Sequence, residues 1–107
     1  MTPDPAEPVF RAIADPTRRR ILGMLAAGEQ PAGALQAPFA MSQPAFSQHL
    51  RVLREAGLVT ERRVGRRRLY RVTPEPLGLV TDWVGKLRTF WRERLLALSD
   101  LLDQAPP

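Results

Sequence analysis

The stretch SQPAFSQHLRVLREAGLV, residues 42–59, decides how the rest of the chain is read. Ser42 is an N-cap candidate and Pro44 falls in the first turn of the helix it would open, where a missing N–H costs nothing. Gly57 is placed to end that helix, so the expected span is 43–56. On it, Phe46, Leu50 and Leu53 share one side and suit a core. Gln43, Ser47 and Arg51 share another side, with Gln48 and Arg54 alongside. These are the side chains that match base edges: Gln pairs bidentately with adenine, Arg with guanine, and Ser with either. Ser42 and the free backbone N–H groups of the first turn can hold a phosphate, and Ala45 is small enough for close approach. A solvated polar face explains the same residues equally well when the segment is taken alone.

The flanking sequence removes that balance. Upstream, EPVFRAIAD makes a short first helix with Val9, Phe10 and Ile13 as its apolar side. Asp15 then caps a second helix, about 16–27, with Pro16 at its first position and Ile21, Leu22, Met24 and Leu25 as its buried stripe. Gly28 ends it. Pro31 opens a short third helix, PAGALQA, with Leu35 inward, and Pro38 stops it. Phe39 and Met41 fill the turn. A short helix and a tight turn therefore lie directly before helix 43–56, as a helix-turn-helix requires.

Downstream, LVTERRV and RRLYRVT flank a turn at Gly65-Arg66 and read as two strands of a hairpin. Arg66, Arg67 and Arg68 crowd its tip, and such a narrow basic loop fits a minor groove or the phosphates beside it. Arg62, Arg63 and Arg71 are also within reach of a phosphate backbone. Charge as edge-strand protection would need only one or two of these residues. A last helix, about 76–103, carries an apolar stripe through Val80, Val84, Leu87, Trp91, Leu95, Leu98 and Leu102. The expected fold is mainly α with a small β-hairpin, a winged helix-turn-helix of order α-α-α-α-β-β-α. Residues 8–103 form one domain, between tails at 1–7 and 104–107 that are expected to be disordered.

The charge distribution agrees. The chain of 107 residues has a net charge of +5. Residues 42–71 hold eight Arg against Glu55 and Glu61, a net of +6, and the remainder has a net of −1. The whole positive excess lies in one segment, and such a patch attracts polyanions. No apolar run approaches membrane-spanning length. The start has no basic and apolar leader pattern, so a cytoplasmic protein is expected. With no Cys in the chain there is no thiolate site. Nor does any Gly-rich phosphate loop, Cys nucleophile or triad partner for His49 suggest an enzyme.

FRAIADPTRRRILGML, followed by MSQPAFSQHLRVLREAGLVTERRVGRRRLYRVTPEPL, resembles the ArsR family of small bacterial winged-helix repressors. The likeness covers about residues 9–103. It implies a homodimer that binds double-stranded DNA at a pseudo-palindromic operator and represses transcription, in some cases its own. The recognition positions that carry over are Ser42, Gln43, Ala45, Ser47, Gln48, His49 and Arg51, and the wing contacts are Arg66, Arg67 and Arg68. The cysteine-free, non-metal branch, sometimes called SdpR-like, is the nearer resemblance. RRRLYRVTPEPL and the tryptophan-rich last helix fit it.

Many family members sense metals through cysteine clusters or through Asp and His residues spaced along the last helix. Here Asp82, Glu93, Asp100 and Asp103 have no imidazole beside them, so no metal and no cofactor is expected. The last helix has more apolar surface than one small domain can cover. The first and last helices are therefore the expected dimer interface, through Phe10, Val80, Trp83, Val84, Leu87, Trp91, Leu95 and Leu98. The aromatic stripe of Trp83, Phe90 and Trp91 reads first as core or interface. A hydrophobic small-molecule effector at the dimer interface is the second reading. Two rival functions are a winged-helix protein-interaction module and an RNA-binding module. Dense arginine argues against the first, because protein interface cores are depleted in charge. The scarcity of aromatics in the basic segment, where Tyr70 is the only one besides the inward-facing Phe46, argues against the second.

Overall fold

The computed structural model describes residues 4–104. Its elements run α1 (Glu7–Ile13), α2 (Pro16–Leu25), β1 (Gln30–Pro31), α3 (Ala32–Gln36), α4 (Gln43–Glu55), β2 (Val59–Val64), β3 (Arg67–Val72) and α5 (Leu77–Asp103). The helical order and the hairpin match the expected winged helix-turn-helix. Residues 1–3 and 105–107 of the expected tails lie outside the described residues. Asp4 sits in the turn that leads into α1, its Oδ1 accepting from the Ala6 amide at 2.9 Å.

Local chemistry sets the helix ends. Asp15 is extended (ψ 131°) and its side chain accepts from the Arg18 amide, which caps α2. Ser42 does the same for α4, accepting from the Ala45 amide. Gly57 takes a positive φ of 77° just after α4, and the Leu58 amide reaches back to the Leu53 carbonyl at 3.0 Å. This closes the helix in the left-handed manner that favours glycine. At the hairpin tip Gly65 takes a φ of 64° while Arg66 stays at negative φ, a pattern that matches the twist of paired strands.

The core lies where α1 through α4 meet the sheet. Phe46, Leu50 and Leu53 of α4 are buried with Ile21 and Leu25 of α2, Leu35 of α3, and Leu58, Val59 and Tyr70 from the sheet side. In α1 the expected apolar side needs correction. Val9 and Ala12 are buried, whereas Phe10 and Ile13 are only partly covered. Ala12 lies three residues from Val9 on the inner face, and its small side chain lets α1 approach closely. Phe10 instead meets α5, its ring edge-on to Trp83 at 5.4 Å.

A second correction concerns Pro31. It does not start α3 as a helical residue. It is the extended residue before α3 (φ −72°, ψ 153°) and forms β1 with Gln30. β1 pairs antiparallel with β3, Gln30 opposite Tyr70 and Pro31 opposite Leu69, giving a three-stranded sheet of order β1-β3-β2. A proline is tolerated there because β1 is an edge strand.

α5 stands apart. None of its 27 residues is buried. At 1.5 Å per residue it is about 40 Å long and projects from the domain. The radius of gyration is 20.0 Å, against about 13 Å for a compact chain of this length. No helix among the described residues is long and apolar enough to cross a membrane.

Candidate nucleic-acid interface

α4 presents two faces. Phe46, Leu50 and Leu53 hold it to the core, and Ser42, Gln43, Ser47, Gln48 and Arg51 are exposed on the other side. Ala45 is exposed on a flank. His49 does not join the outer set. It is half-buried, four residues on from Ala45, with its Nδ1 3.1 Å from Arg18 Nη1 and 3.9 Å from Asp15 Oδ2. The physical reason is helical phase: position 49 lies beside Phe46, Leu50 and Leu53, on the flank that turns toward the start of α2.

Arg18 gathers this corner together. Its Nε donates to the Ala12 carbonyl at 2.7 Å and its Nη2 to the Arg11 carbonyl at 2.9 Å. Arg19 donates to the Ile13 carbonyl at 2.8 Å. These are last-turn acceptors of α1, beyond the reach of the helix's own i to i+4 bonds, and the Arg11 carbonyl also accepts from the Ala14 amide at 3.3 Å. Two arginines of the motif ADPTRRRIL thus cap the preceding helix, and one of them also holds α4 through His49. Arg20 packs over the Phe39 ring at 4.8 Å, and Phe39 meets Phe46 at 5.7 Å, so the turn before α4 is fixed by aromatic bulk. Burial works to raise the Asp15 carboxyl. The Arg18 amide and the nearby positive charges outweigh it and hold the group below the usual carboxylate value.

The wing sorts its arginines by strand alternation. Glu61 faces Tyr70, Arg62 faces Leu69, Arg63 faces Arg68 and Val64 faces Arg67. Successive side chains point to opposite faces, so Arg63 and Arg68 share the face of Glu61 and Tyr70, while Arg62, Arg67 and Arg71 share the other. Arg62 does not extend freely, as expected of a backbone-contacting residue. It donates twice to Glu29, at 2.8 and 2.7 Å, and fastens the wing root to the segment before β1. That bond holds the Glu29 carboxyl below its usual range and pushes the Arg62 guanidinium further up. Arg71 donates to Thr60 Oγ1 at 3.1 Å. Arg51 pairs with Glu55 along α4, and Arg54 with Glu61. Among the described residues Arg63, Arg66 and Arg67 form no ion pair.

Of the sequence-derived positions, Ser42, Gln43, Ala45, Ser47, Gln48 and Arg51 at α4 and Arg66, Arg67 and Arg68 on the wing are exposed. His49 belongs to the support beneath it. Arg63 was legible only as one of several arginines able to reach a phosphate. Its pairing with Arg68 sets two like charges directly opposite, which a sheet carries at a cost. The groups of three or more His, Cys, Asp or Glu that a metal would need are absent among the described residues.

A helix-turn-helix domain family model matches residues 13–62. The chain is 42% identical over 95 residues to the HTH-type transcriptional regulator Rv2034 of Mycobacterium tuberculosis, covering 88% of this chain and 85% of the relative. It is 37% identical over 76 residues to the transcriptional repressor SdpR of Bacillus subtilis, covering 71% and 84%. Among solved structures, an ArsR family transcriptional regulator superposes with a TM-score of 0.79 at 33% identity, over 86% of this chain and 95% of that one. A homodimeric winged helix-turn-helix DNA-binding domain of Mycobacterium bovis, Mb0332, gives 0.64 at 31% identity, over 85% and 84%.

Proposed function

The chain belongs to the ArsR family of winged helix-turn-helix transcriptional regulators, and from that premise we propose how it reads DNA. It acts as a repressor, a homodimer on a pseudo-palindromic operator. α4 enters the major groove, with Gln43, Ser47, Gln48 and Arg51 toward base edges and Ser42 and the first-turn amides toward a phosphate. Arg66, Arg67 and Arg68, joined by Arg63, lie along the minor groove or the backbone. His49 supports the helix from within, and Ala45 sits where close approach matters.

The observation that supports this reading is the exposed polar face of α4, followed in the chain by wing arginines, Arg63, Arg66 and Arg67, that are exposed and form no ion pair among the described residues. Both lie within residues 42–71, the segment that holds the chain's entire positive excess. Phosphate contacts would supply salt-sensitive affinity, and α4 would supply sequence preference.

The dimer follows from α5. Trp91 is 55% exposed and Leu95 63%, too much apolar surface for a helix meant to face water. A partner protomer covering α5 and Phe10 would bury Trp83, Val84, Leu87, Trp91, Leu95 and Leu98, together with the partly covered Val80. Two recognition helices would then lie about 34–36 Å apart. A hydrophobic effector would compete with the partner protomer for the groove formed by Leu87, Trp91, Leu95 and Leu96.

The test is binding of the purified protein to DNA from its own upstream region and to random DNA, across a salt series. Two protomers per site, a marked preference for the upstream DNA and a steep salt slope are the expected result. Equal weak binding to both DNAs would remove autoregulation and leave the operator to be sought by selection from a random-sequence library.

A further inference from the structure

Residues 42–71 contain two acids among eight arginines. Glu55 pairs within α4 with Arg51. Glu61 does something different. Its Oε2 accepts from Arg54 Nη1, in the last turn of α4. The same oxygen accepts from the Tyr70 hydroxyl at 3.3 Å, across the strand pair. Its Oε1 lies 3.7 Å from Arg68 Nε, near the wing tip. One carboxylate, 21% exposed, thereby joins the end of the recognition helix to both strands of the wing.

The anchors are themselves fixed. Tyr70 is buried, and burial together with the Glu61 charge pushes its phenol up, so the hydroxyl remains a donor. Arg54 sits one turn beyond the buried Leu50. Without Glu61, Arg54, Arg63 and Arg68 would form a cluster of like charge on this side of the sheet. The wing would then be free to splay. We propose that Glu61 is a positioning residue: it fixes the wing against the recognition helix, and preference for the operator over random DNA depends on it. The proposal rests on the reading of α4 and the wing as the DNA-binding elements.

A carboxylate in a phosphate-binding surface opposes non-specific binding, because each contact to DNA is electrostatic. Sequence preference needs helix and wing to meet their grooves together. Removing Glu61 should therefore move the two quantities in opposite directions. A residue needed only for folding would lower both.

The experiment compares the wild type with Glu61→Gln and Glu61→Asp. The probes are a duplex selected by the wild type from a random-sequence library and an unselected duplex of the same length. Glu61→Gln should bind the unselected duplex several-fold more tightly, with a salt slope steeper by about one unit. Its ratio of selected to unselected affinity should fall about tenfold. Glu61→Asp keeps the charge but shortens the reach, so its ratio should fall with little change on unselected DNA. Equal gains on both duplexes in Glu61→Gln, with an unchanged ratio in Glu61→Asp, would reduce Glu61 to a charge and overturn the proposal. Parallel losses on both duplexes with a lowered melting temperature would also overturn it. If the wild type selects no sequence, the operator reading fails, and amide exchange in the free protein decides about Glu61. Exchange of residues 62–71 about tenfold faster in Glu61→Asp supports the link, and equal rates refute it.

Discussion

The Asp15 carboxylate caps α2 through the Arg18 amide and lies 3.9 Å from His49 Nδ1. Replacing it with Ala should cost about 1 kcal/mol, the usual loss for an N-cap, read by urea unfolding at fixed protein concentration. Asp15→Asn should keep most of that stability at neutral pH. The carboxyl is held below its ordinary value of 3.8 in the folded chain. Its contribution is therefore complete above that value and is lost as pH falls through the lowered one. The wild type should lose its advantage over Asp15→Asn only below about pH 4. Arg18 is a sharper case, because it serves two carbonyls of α1 and the imidazole of His49. Arg18→Met should cost about 1.5–3 kcal/mol in the same unfolding experiment, since a charged donor is removed and the Ala12 carbonyl loses it, while the Arg11 carbonyl keeps only the long bond from the Ala14 amide. The sequence identifies Asp15 and Pro16 as a helix start from residue type alone. The role of Arg18 is not legible there, because its partners lie six, seven and 31 positions away.

At the scale of elements, α4 and the wing divide the work. Arg67, unpaired near the tip, should contribute affinity without regard to sequence. Arg67→Ala should weaken binding to all DNAs and flatten the dependence of log K on log salt by about one unit. Gln43→Ala or Arg51→Ala should instead relax the preference at one base pair, by about 1–3 kcal/mol, as measured by competition between operator variants. An unchanged preference in both would mean that α4 is aimed elsewhere. The apolar and polar phases of α4 are a matter of periodicity, so its core residues are read correctly from the chain. β1 is not. Gln30 and Pro31 form a strand only because the backbone of β3 lies beside them, and a two-residue edge strand containing proline has no periodic signal. The engagement of Arg62 with Glu29 is hidden for a related reason: the two are far apart in sequence and meet only once that strand has formed.

For the whole molecule, exposed apolar surface is the leading fact. The accessible area is 7990 Å², whereas a compact monomer of this mass exposes about 6,000 Å². The excess lies largely along α5, whose apolar side chains run from Leu79 to Leu102. A partner protomer covering that helix would bury an area within the range of stable dimers. Trp91→Glu combined with Leu98→Glu should yield a monomer by sedimentation, and the melting temperature should then lose its dependence on protein concentration. Affinity for the full operator should fall far more than affinity for a half-site, because the two recognition helices would no longer be joined.

The starts and caps of α2 and α4, the buried face of α4, the turns at Gly57 and Gly65 and the place of the basic segment all follow from the sequence. They depend on spacing, residue type and the conformational rules of neighbouring residues, which are local. By contrast, α2 stops at Leu25, short of the expected 16–27, with Leu22 and Met24 only partly covered, and α3 begins after Pro31. The order of elements then constrains the fold to a winged helix-turn-helix. Which arginines remain available, which way His49 turns and what Glu61 joins were decided by tertiary structure alone. Long side chains take their partners from whatever the fold brings within about 3 Å, and hydrogen-bond geometry at that range has no counterpart in sequence spacing.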